Sequence, residues 1–271
     1  KTDAVLHLAA QVAVTASVRD PYHDFHTNAH GTINVLEAVR NSKRRPLVIY
    51  SSTNKVYGNM EDAEVTLTDA GYRYVHFPVG VAEHHPVDFH SPYGCSKGAA
   101  DKYVRDYGRI YGLKTVVYRQ SCIYGPHQFG VEDQGWVAWF VISGILGRPI
   151  TVYGDGNQVR DILHVEDLAS LYETTVSAID KVAGRVYNVG GGHSQVFSVL
   201  STLRVIEHIL KKPMPFSFAD WRPGDQKVYI SDTSAIKRDL GWEPKIFFDK
   251  GLVSLVQWAE GEEKLLWRLL A

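Results

Sequence analysis

The chain has 271 residues, 45% of them hydrophobic, enough for one large α/β unit with an appended lobe. Lys plus Arg total 29 against 30 Asp plus Glu, and the net charge of -1 provides no general field for nucleic acid or an anionic membrane. Two cysteines with no CxxC spacing argue against a disulfide framework and fit a reducing compartment, with the cytoplasm expected.

In chain order, Ala4–Leu8 reads as a buried parallel strand. No methionine precedes it, so the sequence is expected to begin inside its domain. A helix is expected over Asn28–Val39, with Ile33, Leu36 and Val39 at helical spacing. The strand Pro46–Ser51 follows, then a helix over Gly98–Tyr111 with Ala99, Tyr103, Tyr107 and Ile110 on one stripe, and the strand Thr115–Arg119. After Gly125-Pro126 the order loosens into Gly- and Pro-punctuated segments. Helical patterns return at Val165–Ala178, Val199–Leu210, Thr233–Leu240 and Gly251–Trp258, with one further strand at Arg185–Val189. This alternation predicts an α/β fold, a doubly wound parallel sheet covered on both faces, with a smaller interleaved C-terminal lobe. No run approaches the ~20 apolar residues of a membrane-spanning helix, and the first ten residues do not read as a cleavable leader.

The strongest local feature is Ser91-Pro92-Tyr93-Gly94-Cys95-Ser96-Lys97, in which Tyr93 and Lys97 are one helical turn apart and share a face. A phenol with an ordinary pKa of about 10 is a poor base at neutral pH, and a neighbouring ammonium is expected to favour its phenolate. Alone, this spacing is common at the start of amphipathic helices. Upstream, Ile49-Tyr50-Ser51-Ser52-Thr53-Asn54-Lys55 reads as a strand ending in hydroxyl residues, where open α/β sheets present ligand-binding groups.

With these motifs in order, the sequence resembles the extended short-chain dehydrogenase/reductases, the NAD-dependent epimerase/dehydratase family, over nearly all of its length. The resemblance implies a Rossmann-like fold and a catalytic set of Thr53, Tyr93 and Lys97. It places NAD along Leu8, Ala9, Ala10, Asn28, Ser51, Tyr93, Lys97 and Gln120, with Asn28 tying the cofactor-side loops together. For a nucleotide-diphosphate sugar it points to Thr53, Asn54, Gln120, Arg160, Arg222 and Asp225, with Asp161 beside Arg160. Two arginines from separate segments suit a diphosphate, because each planar guanidinium can donate paired hydrogen bonds to phosphate oxygens. Residues 1–125 and about 159–190 are then the dinucleotide-binding part, and about 126–158 and 191–271 the nucleotide-sugar lobe.

Within the family, the segments from Ser51, Asp88 and Asp133 look like those of enzymes that invert C2 of a CDP-linked sugar. Sugar 4,6-dehydratases typically carry Asp-Glu after the catalytic threonine, and Asn54-Lys55 cannot supply that acid and base. A 4-epimerase or decarboxylase of the same family, and a noncatalytic NAD-binding scaffold, remain as alternatives. A homodimer or homotetramer is implied, joined through the helices from Asn28 and Gly98.

The Gly-x-Gly-x-x-Gly fingerprint is absent, as is the acidic residue expected ~20 residues beyond it. Full-length relatives carry both before the strand matching Ala4–Leu8. Gly190-Gly191-Gly192 lacks that spacing and reads as a turn. His23, His26 and His30 could share a helix side, but no carboxylate or cysteine completes a recognisable metal set, and none is expected. His84, His85 and His90 read as a polar loop, exposed or beside substrate. Cys95 reads as a small packing residue.

Overall fold

The computed structural model describes residues 2–222 and 224–270. The strands in chain order are β1 (Ala4–His7), β2 (Leu47–Thr53), β3 (Val65–Thr68), β4 (Gly71–Tyr74), β5 (Thr115–Gln120), β6 (Cys122–Tyr124), β7 (Ile150–Tyr153), β8 (Val159–His164), β9 (Val186–Val189), β10 (Val196–Ser198), β11 (Phe216–Ala219) and β12 (Val228–Tyr229). The helices are α1 (Val14–Arg19), α2 (Pro21–Phe25), α3 (Gly31–Asn41), α4 (Ser91–Tyr111), α5 (Trp136–Leu146), α6 (Val165–Ser177), α7 (Ile179–Val182), α8 (Val199–Leu210), α9 (Ser234–Leu240), α10 (Phe248–Gly261) and α11 (Glu263–Leu270).

Four of the apolar runs pair side by side in the order β1-β2-β5-β9, all parallel. The period-2 alternation of a strand sends successive side chains to opposite faces. Leu47 and Ile49 of β2 therefore join Val116 and Tyr118 of β5 against Leu168 and Leu171 of α6 and Ile236 of α9. Val48, Tyr50 and Val117 go the other way, onto Leu36 and Val39 of α3 and Ala100 and Val104 of α4. The sheet is thus buried on both faces, as expected of a doubly wound, Rossmann-like fold.

A second layer gathers around β8, which pairs with β10 and β12 in its first half and with β6 in its second. Residues 159–164, expected in the dinucleotide-binding part, thus form a strand outside the four-stranded sheet; the chain returns to that sheet through α6 and β9. Gly190 and Gly191 make the exit from β9, where a Cβ would collide with the Asp161 carboxylate or the Ile162 carbonyl. Their role is close approach of two segments, in keeping with the expected turn. The lobe core packs Phe140 and Ile142 of α5 against Leu203 of α8, Leu252 and Leu255 of α10 and Leu266 of α11.

The structure departs from the sequence expectations at several elements. α4 starts at Ser91 rather than Gly98, and its buried stripe is Tyr93, Lys97, Ala100, Asp101, Val104 and Tyr107. Tyr103 and Ile110, expected on the buried side, are exposed. The expected Asn28–Val39 helix is divided by a π-helical turn at His26–His30 before α3 begins. Helices α5 and α11 have no counterpart among the expected elements.

Candidate active site

Helix α4 brings Tyr93 and Lys97 to the carboxyl edge of β2, where open α/β sheets place their ligands. Both are buried, at 8% and 3% exposure. The Tyr93 amide donates to Ser17 Oγ of α1 at 3.1 Å, fixing the start of the helix. Ser91, two residues earlier, holds a left-handed φ of 66°, a strained conformation for a serine beside a site. Lys97 Nζ donates to the Ser51 carbonyl at 2.5 Å and lies 4.4 Å from the centroid of the Tyr50 ring. Thr53 ends β2, and its hydroxyl accepts from the Lys55 amide at 3.2 Å. Thr53, Tyr93 and Lys97 line one cavity of about 700 Å³.

Burial dominates the electrostatics of this trio. It pushes the Tyr93 phenol up to about 12, opposed by the adjacent Thr53 hydroxyl and reinforced by the Asp24 carboxylate. It pulls the Lys97 ammonium down to about 7, against the pull of Asp24 and Asp101. The expectation of a phenol made acidic by its lysine neighbour is therefore reversed here. Lys97 directs its proton to the Ser51 carbonyl and its charge over the Tyr50 ring, and only the Thr53 hydroxyl offsets part of the phenol's desolvation.

Of the other residues expected near a dinucleotide, Leu8, Ala10, Ser51 and Gln120 line the cavity. Ala9 is exposed and does not. Asn28 is buried outside the lining: its side chain accepts from the Gln11 amide at 2.8 Å and donates to the Gln11 carbonyl and Ser96 at 3.0 Å each. It ties the loop after β1 to α4 and does not itself face the cavity. Gln120 donates to Ser51 Oγ at 3.2 Å and to the Tyr172 hydroxyl at 2.9 Å, which draws in Tyr172, a lining residue the sequence did not single out.

The lining also includes Asn54, next to Thr53, and Arg160, Arg222 and Asp225. Arg160 pairs with Asp225 at 2.6 Å, and Arg222 with Asp133 at 2.9 Å, its guanidinium 3.9 Å from the centroid of the Tyr153 ring. Asn54 donates to Gln226 Oε1 at 3.3 Å. Asp161 is different: fully buried, it accepts from the Gly192 amide at 3.1 Å behind the wall, and burial raises its carboxyl. It supports the fold and does not line the cavity. Lys55, Trp136 and Gln134 are further lining residues outside the expected set. Gln134 and Trp136 fall in the Asp133-Gln134-Gly135-Trp136-Val137 segment, whose likeness was a signal that could have found them.

Among the described residues no group of three or more His, Cys, Asp or Glu side chains could hold a metal. His26 and His30 approach each other at 3.4 Å with no third donor, and His85 packs against the rings of Tyr57 and Phe77. Cys95 is exposed, so it is not the packing residue expected.

The family model described as GDP-mannose 4,6 dehydratase matches residues 1–255. The chain belongs to that family. It is 43% identical over 261 residues to the CDP-paratose 2-epimerase of Salmonella typhi, covering 94% of this chain and 77% of that protein. It is 33% identical over 277 residues to the dTDP-glucose 4,6-dehydratase of Neisseria gonorrhoeae, covering 95% and 74%. Among solved structures, the UDP-glucose 4-epimerase of Thermus thermophilus in complex with NAD superposes with a TM-score of 0.81 at 31% identity, over 96% of this chain and 78% of that one. The relatives it matches are thus named both as epimerases and as dehydratases.

Proposed function

We propose that this chain is an NAD-dependent nucleotide-sugar epimerase that inverts C2 of a CDP-linked sugar, converting CDP-paratose to CDP-tyvelose. The observation that carries the reading is the composition of the cavity. Thr53, Tyr93 and Lys97 stand on its sheet side, Arg160 and Arg222 on its lobe side, and an amide and an ammonium, Asn54 and Lys55, follow the threonine. The 43% identity to a 2-epimerase supports the choice of carbon and nucleotide.

The residues present fit a dinucleotide. Leu8, Ala10 and Val12 offer an apolar ledge beside the polar groups of Ser51, Lys97 and Gln120. When bound, NAD supplies a reversible hydride acceptor and a positive charge beside the phenol. Tyr93 and Thr53 share the C2 hydroxyl, and Tyr93 takes its proton as the carbon becomes a ketone. Lys97, held by the Ser51 carbonyl, stands in the same pocket as the phenol, its ammonium drawn down to about 7 by burial. After the 2-keto sugar presents its other face, Tyr93 returns the proton and C2 is inverted. Arg160 and Arg222 hold the diphosphate while the sugar turns.

Two measurements test this. Denatured protein should release NAD, which a scaffold without a cofactor would not. With CDP-sugars deuterated at C2 or at C4, turnover should slow only for C2 deuteration; an isotope effect confined to C4 would make the chain a 4-epimerase. We further propose a homodimer or homotetramer joined through the outward faces of α3 and α4, and a cytoplasmic location. The free cysteines and the absence of any helix, among the described residues, long and apolar enough to cross a membrane are consistent with that location.

A further inference from the structure

Lys55 has no part in the chemistry assigned so far, yet its side chain points into the cavity. It lies two residues past Thr53, on the 3-10 turn Asn54–Tyr57, with 20% of its side chain accessible. The ammonium crosses to the lobe, donating to the Gly224 carbonyl at 2.9 Å and lying 3.9 Å from Asp225 Oδ1. That same oxygen receives Arg160 Nη2 at 2.6 Å, so two cations share one carboxylate oxygen. The remaining neighbour that carries a titratable group is Cys122 of β6, whose thiol burial pushes up and leaves uncharged at neutral pH. Burial and Arg160 together draw Lys55 down to about 8. Arg160 and Arg222 line the same cavity, each already facing a carboxylate, Asp225 and Asp133. The Lys55 ammonium, with one bond to a carbonyl and Asp225 shared with Arg160, has donors at hand for an anion beside the catalytic threonine.

The place of that anion bears on which carbon reacts. In a sugar 1-diphosphate, C2 is the ring carbon next to the phosphate linkage, whereas C4 lies across the ring. An enzyme that presents C2 to Tyr93 and Thr53 must bring a phosphate close to them, and one that presents C4 holds the phosphate far away. We propose that Lys55 binds the sugar-proximal phosphate and so sets C2, rather than C4, against Tyr93. This rests on the nucleotide-sugar reading above and makes Lys55 a specificity-determining residue.

Calorimetric titration with CDP and with CMP, which lacks the sugar-proximal phosphate, separates this role from a general one. In the unsubstituted protein CDP should bind more tightly than CMP. Lys55→Gln should weaken CDP about tenfold or more, the worth of a charge-assisted hydrogen bond, and leave CMP within about twofold. Lys55→Arg, which keeps the charge, should retain most of the CDP preference and guards against a merely misfolded Gln variant. If Lys55→Gln weakens both ligands equally, or neither, Lys55 does not hold that phosphate, while the epimerase reading stands. If the unsubstituted protein binds none of CDP, UDP and dTDP, the epimerase reading fails and takes this inference with it.

Discussion

Lys97 is the residue at which the demands of the site oppose those of the fold. Its folded pKa of about 7 lies below the ordinary 10.5, because burial penalises the ammonium more than Asp24 and Asp101 favour it. Between those two values the unfolded chain holds a proton that the folded chain lacks, so stability rises with pH across the window. Below pH 7 both states are protonated and the full desolvation cost is borne. Lys97→Met should therefore raise the urea midpoint of the cofactor-free protein near pH 6, corresponding to a gain in unfolding free energy on the order of a few kcal/mol, and approach the unsubstituted protein near pH 10. Turnover should be lost at the same time. A lower midpoint near pH 6 would mean that the bond to Ser51 outweighs the burial cost. Tyr93→Phe makes the complementary test, since the ring stays in its packing and only the proton carrier goes. The expected result is a fall in turnover of about 10³-fold, within the usual range for a general acid-base group, with little change in melting temperature. Near-normal turnover would remove Tyr93 from the mechanism.

At the scale of the element, α4 carries the site because a single face of it is tied down at three levels. Tyr93, Lys97 and Asp101 follow at successive turns, and Asp101 accepts from Arg119 of β5 at 2.9 and 3.3 Å in a pair that is almost wholly buried. Arg119 also donates to the Tyr57 hydroxyl at 3.0 Å, joining the strand to the 3-10 turn after Thr53. Removing one partner leaves a buried charge unmatched, so Asp101→Asn should cost about 3–5 kcal/mol in chemical denaturation, and Asp101→Leu combined with Arg119→Met should recover much of that loss. A cost under about 1 kcal/mol would show that Arg119 finds water or another acceptor. The Tyr93–Lys97 spacing was legible in the sequence because a turn of helix fixes it locally, and the strands of the main sheet were legible as short apolar runs. The apolar stripe drawn from Gly98 started α4 too late, because its first turns bury Tyr93 and Lys97 rather than aliphatic side chains, although Pro92 at the first helical positions suits a helix start. Helix α5 is apolar on every side and so shows no helical period; its burial among α8, α10 and α11 exists only in three dimensions. The meaning of Lys55 was hidden for the same reason, its partners at Gly224 and Asp225 lying far along the chain.

For the whole molecule, the same helix that presents Tyr93 inward also supplies the face proposed for assembly. Tyr103 and Ile110 stand out from α4 at 46% and 66% exposure, one above the other on its outer side among Lys102, Asp106 and Arg109. Beside them α3 and α4 are braced together: Glu37 accepts from the Tyr107 hydroxyl at 2.7 Å, and the Arg40 guanidinium lies 4.8 Å from the centroid of the Tyr111 ring. A braced pair of helices that exposes two apolar side chains among charges of both signs is suited to meeting its own copy about a two-fold axis, where each residue of the patch serves both partners. In such an arrangement a charge placed on the patch is met twice in each interface. Ile110→Lys should therefore shift the sedimentation profile from dimer or tetramer toward monomer, and the loss should deepen on dilution. Since Tyr93 and Lys97 lie on the opposite face of α4, CDP binding by the monomeric variant should stay within about twofold if the two faces act independently. An unsubstituted protein that sediments as a monomer would reject the interface, and a variant that stays assembled would move it to another surface.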